Sequence, residues 1–357
     1  MWNIRKLQKG FSLIELMIAM VLGLVLMAGV IQVFITSKQT FNLNEEMNLI
    51  QDNARHAIGF MAEDVRMAGY FGCASRAGSV VNVLKNAGSN WYSDFTKGLQ
   101  GYDGDAATFP AAWFPRPQTS TLPATMPRTD VFTVHRADLE NELKIIGHVP
   151  DSAVIDIKGT HDLPTGTILV ASDCHHTAIF QNTGNQKNKI NHNTGASVSP
   201  GNCTKKLSLN VPVICSQLAA DYVFKPGSSV MRAMAHAYYV NIAPNGVPSL
   251  YRSVLNAGGL SLTAEEMIQG VENMQVEYGL DNNADGIPNR YVLASQVSAA
   301  QWEADVVSMR VTLLLRSLTE LASEPQSFSY LGVAYTPTDR YVRRVFSTTV
   351  KLRNRGV

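Results

Sequence analysis

The chain has 357 residues, of which 45% are hydrophobic. This length leaves room for one long helix and one large domain or two small ones. Its 30 basic and 29 acidic side chains give a formal net charge of +1. A balance this close to zero gives no reason to expect nucleic acid or another polyanion as a partner.

The chain begins with a short basic segment, residues 1–10, that ends in Gly10. An apolar stretch, residues 11–35, follows, and the 20 residues after Glu15 are enough to span a bilayer as one helix. Glu15 is the single ionisable side chain of that stretch. A carboxylate within a membrane is costly unless it is paired, so Glu15 is a candidate functional residue. Cleavage after Gly10 would create the partner, a new amino group on Phe11.

This order of a basic leader, a Gly10–Phe11 junction, Glu15 and an unbroken apolar run resembles the class III signal of type IV pilins and type II secretion pseudopilins. The resemblance implies that a prepilin peptidase cleaves after Gly10 and methylates Phe11. It also implies that Glu15 helps to dock the subunit into a growing filament. An ordinary signal anchor is the alternative interpretation, and it leaves the carboxylate of Glu15 unexplained.

The helix is expected to continue beyond the membrane, through residues 36–69. Apolar residues recur there at steps of three and four, which indicates an amphipathic helix. The apolar face consists of Leu43, Met47, Ile50, Ala54, Ala57, Met61, Val65 and Ala68. The opposite face carries Glu45, Glu46, Asp52, Arg55, Glu63 and Arg66. Because Gly69 is a stop signal and no proline precedes Pro110, we expect one unbroken helix from Phe11 to Ala68.

The rest of the chain, residues 70–357, is expected to form an extracytoplasmic β-rich domain. Loops should dominate up to residue 127, because that part is rich in Gly, Asn, Ser, Asp and Pro. Six later segments have the composition of strands: 130–135, 166–171, 235–240, 274–278, 306–315 and 344–352. The Asn245–Gly246 pair predicts a hairpin turn, and Thr263–Glu266 has the pattern of a helix start. The predicted fold class is α+β, with a long N-terminal helix packed on antiparallel sheet.

Several internal segments resemble the PilW group of minor pilins, whose type II secretion relatives are the J-type pseudopilins. They are Ala68–Cys73, Ser172–Cys174, Leu250–Arg252, Val271–Gly279 and Arg343–Asn354. The resemblance implies a minor pilin, a structural subunit of a tip or priming complex from which a type IV pilus grows. A J-type pseudopilin is the near alternative. A membrane-anchored binding protein that never polymerises is the alternative from another class.

The same resemblance implies partners and a location. The partners are the prepilin peptidase, other minor pilins, the major pilin and the inner-membrane assembly platform. Before assembly the subunit would cross the inner membrane once, with its C-terminal domain in the periplasm, because the basic residues before Phe11 should stay in the cytoplasm. After assembly it would belong to the pilus at the cell surface.

Four cysteines, an even number, suggest disulfides outside the cytoplasm. They are Cys73, Cys174, Cys203 and Cys215, and three pairings are open to them. We favour a local Cys203–Cys215 loop, with Cys73–Cys174 joining the end of the helix to the sheet domain. The sequence alone does not decide between these pairings.

Asp281, Asn283 and Asp285, followed by Gly286, match the start of a calcium loop. The bidentate glutamate of such a loop is missing, since Val292 occupies its position. A short hairpin turn explains the same residues. Both interpretations stay open, and Ca²⁺ is the one cofactor that the sequence suggests.

No motif of enzymatic catalysis is recognisable, so we expect a protein that is not an enzyme. The C-terminal part is basic: Arg340, Arg343, Arg344, Lys351, Arg353 and Arg355 stand against Asp339. Such a patch can touch phosphates. Alternating charges on a strand more often form its solvated face or protect a sheet edge, which is the interpretation we prefer.

Overall fold

The structure is a computed structural model that describes residues 12–73, 80–115, 117, 121–194, 198–208, 215, 221–259 and 261–354. The described residues form two α-helices, α1 (Leu13–Met67) and α2 (Gln301–Ala304), and seventeen strands. The strands are β1 (Val80–Asn82), β2 (Leu99–Tyr102), β3 (Val131–Ala137), β4 (Leu143–Val149), β5 (Val154–Ile157), β6 (Ile168–Ser172), β7 (Thr177–Gln181), β8 (Lys189–Asn191), β9 (Ser229–Ile242), β10 (Pro248–Leu255), β11 (Leu262–Gln269), β12 (Val271–Leu280), β13 (Arg290–Val292), β14 (Val306–Glu320), β15 (Phe328–Tyr330), β16 (Val333–Tyr335) and β17 (Tyr341–Lys351).

Helix α1 is continuous over 55 residues, about 82 Å at 1.5 Å per residue. It ends where Gly69 adopts a positive φ of 75°, as expected for a glycine stop. The N–H of Gly69 then donates to the carbonyl of His135 at 2.9 Å, which ties the end of the helix to β3. Gly98 lies so close that a Cβ there would meet the Cα of Gly69 at 2.4 Å. This close approach requires glycine at position 98.

The second half of α1 packs against two sheets. The four-stranded sheet has the order β13-β12-β14-β17 and is antiparallel throughout. The larger sheet is organised around β9, whose first half pairs with β4 and β6 and whose second half pairs with β3 and β10. The main core lies between α1 and these strands, with Ala57, Met61 and Val65 among its helix residues. The predicted α+β class, with a long helix on antiparallel-rich sheet, is confirmed.

All six predicted strand segments are strands, and most of them extend further along the chain than the local composition indicated. The predicted hairpin turn joins β9 to β10, with Gly246 at a positive φ of 81°. The prediction of a helix start at Thr263–Glu266 is wrong, because these residues lie in β11. Pairing with β10 from Thr263 to Gln269 supplies their backbone hydrogen bonds and outweighs the local helix signal.

Candidate assembly surface on the N-terminal helix

The first half of α1 exposes its apolar side chains. Every large hydrophobic residue from Leu13 to Ile35 is exposed, with values between 44% and 78%. The helix is long and apolar enough to cross a membrane, and none of its most apolar window is buried within the molecule. An apolar surface of this size on a long helix needs lipid or other protein around it.

Glu15 lies at the very start of α1. Its backbone N–H donates to the hydroxyl of Ser12 at 3.3 Å, and its carboxylate accepts the N–H of Ser12 at 3.0 Å. This reciprocal capping box satisfies two N–H groups that the first turn of a helix leaves open. The predicted processing residues Gly10 and Phe11 lie outside the described residues. Glu15 lies four residues after Phe11 in the sequence.

The second half of α1 packs on the sheets as its apolar pattern predicts, with Ile50, Ala54 and Ala57 among its buried residues. Glu46, which we predicted on the polar face, instead turns toward the domain. Its carboxylate accepts the N–H of Leu318 at 3.0 Å, at the end of β14. The side of α1 that faces the sheets is therefore wider than the apolar residues alone indicated.

A buried carboxylate, which sequence reasoning missed, fixes α1 to the large sheet. Asp64 is 4% exposed, and its Oδ1 accepts the Nε–H of Arg136 at 2.9 Å. Its Oδ2 lies 2.6 Å from Nδ1 of His236 and accepts the hydroxyl of Tyr238 at 2.6 Å. Burial alone would raise the pKa of Asp64. His236, Arg136 and Tyr238 outweigh that effect and hold the pKa of the carboxyl well below its usual range.

A signal for this contact was present in the sequence. Asp64 lies three residues after Met61 and seven after Ala57, so it falls on the apolar face of the helix. A carboxylate on a buried face needs partners. His236 and Tyr238 supply two of them from one face of β9, since residues two apart on a strand point to the same side.

A second buried ionic group lies in the basic C-terminal part, where we predicted a solvated face. Arg343 is 4% exposed, and its guanidinium makes paired contacts to Glu272 at 2.6 and 3.0 Å and to Asp339 at 2.5 and 2.7 Å. Arg316 adds a contact to Glu272 at 3.4 Å. The prediction was wrong for Arg343, because β17 turns this side chain toward carboxylates from β12 and its own preceding turn. Arg344 and Lys351 are exposed as predicted.

Both disulfides of the favoured pairing are present in the described residues. Cys73 bonds Cys174 across 101 residues, and Cys203 bonds Cys215 across 12. Cys73 lies just after the end of α1, and Cys174 follows β6. The long-range disulfide therefore links the end of the helix to the large sheet, close to the contact between Gly69 and β3.

The Asp281–Gly286 segment forms a turn between β12 and β13. The carboxylate of Asp281 accepts the backbone N–H groups of Gly286 at 2.6 Å, Asn283 at 3.2 Å and Asp285 at 3.3 Å. Burial acts to raise the pKa of Asp281, but these N–H groups outweigh it and lower the pKa. Within the described part of the chain, no group of three or more His, Cys, Asp or Glu side chains is arranged to hold a metal ion. The contacts match the turn interpretation, and the calcium interpretation stays a prediction.

Two family models match the chain. The model of the prokaryotic N-terminal methylation motif matches residues 5–31, and the model of Type IV Pilus-assembly protein W matches residues 237–354. With one long apolar N-terminal helix on an antiparallel-rich β domain, these matches define a type IV pilin-like protein. Within that class the chain carries a PilW domain in its C-terminal third, and together with the methylation motif this domain supports a type IV pilus minor pilin of the PilW group.

The comparison with solved structures finds a type IV-like pilin from Thermus thermophilus, at 17% sequence identity. The match covers 34% of this chain and 68% of that chain, with a TM-score of 0.22. A likeness this weak adds nothing to the assignment. Among curated proteins no match is found.

Proposed function

We propose that this type IV pilin-like protein is a minor pilin, a structural subunit of a tip or priming complex that initiates assembly of a type IV pilus. The observation that carries the proposal is the division of α1. Its first half is apolar and exposed from Leu13 to Ile35, while its second half is packed on the sheets. Before assembly, such a helix keeps its apolar surface in the membrane. In a filament, it buries the same surface against other subunits.

The methylation motif implies processing by a prepilin peptidase, and the cleavage site is part of the proposal. The peptidase cleaves after Gly10 and methylates Phe11. Residues 1–10 are then the leader, 11–35 the part of the helix that lies in the membrane and later in the filament core, and 36–69 its amphipathic half. Residues 70–357 form the extracytoplasmic domain.

Glu15 is proposed as the assembly residue. In a mature chain that begins at Phe11, the positive amino group belongs to the residue four positions before Glu15. A carboxylate and an ammonium that pair in an apolar surrounding avoid part of the cost of burying each charge alone. The pair forms within one subunit or between neighbours, and pairing between neighbours would favour entry into the filament.

The location and partners follow from the same role. The apolar helix and the motif indicate membrane anchoring and association with a pilus. We propose a single pass through the inner membrane with the C-terminal domain in the periplasm, followed by incorporation at the cell surface. The partners are other minor pilins, the major pilin and the inner-membrane assembly platform, and the role is structural rather than enzymatic.

The near alternative is a J-type pseudopilin of a type II secretion system, and a non-polymerising membrane-anchored binding protein is the more distant one. The matched family supports the pilus over the secretion system, since its description names pilus assembly. The non-polymerising alternative gives no role to Glu15 at the start of an exposed apolar helix.

The proposal is tested with Glu15→Ala in cells that make the pilus. We expect normal leader cleavage but a several-fold loss of surface pili and of co-purification with other minor pilins. Glu63→Ala is the matched control, because Glu63 is an exposed acidic residue on the same helix. Wild-type pilus numbers and co-purification in the Glu15→Ala strain would refute the assembly role.

A further inference from the structure

The four-stranded sheet has an open edge at β17. Among the described residues, β17 pairs with β14 alone, from Tyr341 to Lys351. This edge is eleven residues long and lies beside α1. An unpaired strand of this length offers a row of N–H and C=O groups to another strand.

The register shows which backbone groups point outward. The N–H of Leu352 donates to the carbonyl of Val307 at 2.9 Å, so the residues of β17 with even numbers bond to β14. The odd-numbered residues, including Ser347 and Thr349, direct their backbone groups away from β14. Both residues are exposed, and among the described residues no strand pairs with β17 on the side away from β14.

A groove of about 350 Å³ runs between this edge and the exposed side of α1. Ile58 and Phe346 form an apolar floor, and Arg55 and Arg344 lie at the groove as well. The even-numbered side chains of β17 face α1, as the packing of Phe346 and Val350 shows. A strand added at this edge would therefore send every second side chain into a groove that is apolar in part and basic in part.

The edge carries positive charge that no acidic side chain among the described residues neutralises directly. Arg344 and Lys351 are exposed, and neither has an acidic partner within 4.0 Å among the described residues. Among the described residues, the one ion pair of Arg55 is with the exposed Asp52, at 3.8 Å. Basic residues can protect an edge strand from pairing. Here the basic residues lie beside outward-directed backbone N–H groups and an apolar groove. This combination fits a binding partner with acidic side chains better than it fits protection of the edge strand from pairing.

We infer that the β17 edge is a docking site for an acidic, extended strand of a different pilin subunit next to it in the filament. The partner strand continues the four-stranded sheet, bonds the outward groups of Ser347 and Thr349, and places an apolar side chain against Ile58 and Phe346. This inference rests on the proposed filament function and names the surface that one neighbour uses. Because the edge flanks α1, the contact forms beside the helix–helix contacts of the filament core.

The first experiment uses the full-length protein in pilus-producing cells, with the photocrosslinker p-benzoylphenylalanine at Ser347. The expected result is a covalent adduct whose peptide, identified by mass spectrometry, is an acidic strand of another protein with an N-terminal methylation motif. Adducts to a second copy of this chain, adducts only to lipid or to proteins without that motif, or no adduct would each overturn the inference.

Two matched sets of variants test the chemistry. Thr349→Pro removes an outward N–H without removing a hydrogen bond to β14, whereas Thr349→Ala keeps that N–H. Only the proline variant should lower the adduct yield, by about tenfold. Arg344→Glu with Lys351→Glu should lower the yield by a similar factor, about tenfold for two rim charges. Arg290→Glu, on the opposite edge strand β13, is the charge control and should leave the yield unchanged. Equal yields in all variants would contradict the strand pairing.

The crosslinking test of the β17 docking site can fail independently of the Glu15→Ala test of the filament role. If Glu15→Ala abolishes incorporation while Ser347 gives no adduct, the filament role stands and the docking site does not exist. If Glu15→Ala leaves piliation unchanged, the proposed function itself has failed.

Discussion

Asp64 makes the most important buried contact that sequence analysis did not identify. It is charged, buried in a helix face that otherwise consists of apolar side chains, and it contacts three polar partners on β3 and β9. Replacing one member of such a group leaves the others buried without a counter-charge, which costs more than the net contribution of the intact pair. The contact therefore specifies where α1 sits on the sheet.

Asp64→Ala is expected to destabilise the folded domain by about 3–5 kcal/mol, because Arg136 would remain partly buried without its carboxylate. Asp52→Ala, at an exposed position of the same helix, should change stability by less than about 0.5 kcal/mol. Urea unfolding of the full-length protein in detergent measures both. The pKa of Asp64 lies below its unfolded value, so its stabilisation is present above about pH 4 and is lost as the pH falls below it. An equal effect of the two substitutions would show that the buried contact contributes nothing.

Asp130 should give the opposite pH dependence. Its carboxylate accepts N–H groups of Gly104 at 2.8 Å and Val276 at 2.9 Å. Burial, with Asp103 and Asp105 nearby, outweighs these bonds and raises its pKa to about 7. Because the folded state then binds this proton more tightly than the unfolded state, Asp130 contributes stability at acidic pH that is lost as the pH rises from about 4 to about 7.

Asp130→Asn should remove this part of the pH dependence while lowering stability at every pH, because its amide nitrogen cannot accept the second N–H. Denaturant midpoints of wild type and variant, measured at several values between pH 5 and pH 8, give the comparison. Parallel pH profiles for the two proteins would contradict the raised pKa.

At the scale of elements, the two disulfides constrain the chain to different extents. Cys73–Cys174 closes a span of 101 residues and joins the end of α1 to the large sheet, whereas Cys203–Cys215 closes a span of 12. In the chain-entropy account, closing a loop of 100 residues stabilises by about 4.7 kcal/mol and a loop of 15 residues by about 3 kcal/mol. We expect Cys73→Ser with Cys174→Ser to be the more destabilising pair by about 1–2 kcal/mol.

Urea unfolding under non-reducing conditions compares these two double variants. The fully reduced wild type is the control for losing both bonds at once. A greater loss from Cys203→Ser with Cys215→Ser would show that local packing, and not loop closure, governs their contributions.

The turn between β12 and β13 tests the calcium prediction. If the loop binds Ca²⁺, titration calorimetry of the wild-type protein should show binding heat at millimolar calcium, because the ligand set is incomplete and the affinity weak. Calcium at 100 times its dissociation constant would stabilise the folded state by about 2.7 kcal/mol. Asp281→Ala with Asp285→Ala should abolish the heat. No heat in the wild type means that Asp281 serves the turn alone, through its three backbone N–H contacts.

At the scale of the whole molecule, the described residues combine a helix whose first half is exposed with a domain that has buried hydrophobic cores. Processing decides which environment that helix enters. We expect the mature chain to begin at methylated Phe11, which mass spectrometry of the N-terminal peptide from membranes would show. Gly10→Val should block cleavage and leave the leader attached. Finding an intact Met1 terminus in wild-type cells with an active peptidase would contradict this prediction.

Much of the fold followed from local pattern. The apolar run and the periodicity of residues 36–69 predicted one continuous helix, and the described helix runs from Leu13 to Met67. Local pattern was sufficient because a helix makes its backbone hydrogen bonds within its own residues. Strands β3, β6, β9, β12, β14 and β17 were recognisable from their β-branched and aromatic content. Short or polar strands such as β8 and β11 were missed, since neighbours in space and not their own composition hold them in place.

The candidate assembly surface divides in the same way. The motif around Gly10, Phe11 and Glu15 was readable because it depends on adjacent residues and on the contrast between charge and an apolar run. The pairing of the disulfides, the burial of Asp64 and Arg343, and the open edge of β17 were decided only by tertiary structure. Each of these depends on residues far apart in the chain, such as Asp64 and Tyr238, which only the folding of α1 onto the sheets brings within hydrogen-bond distance.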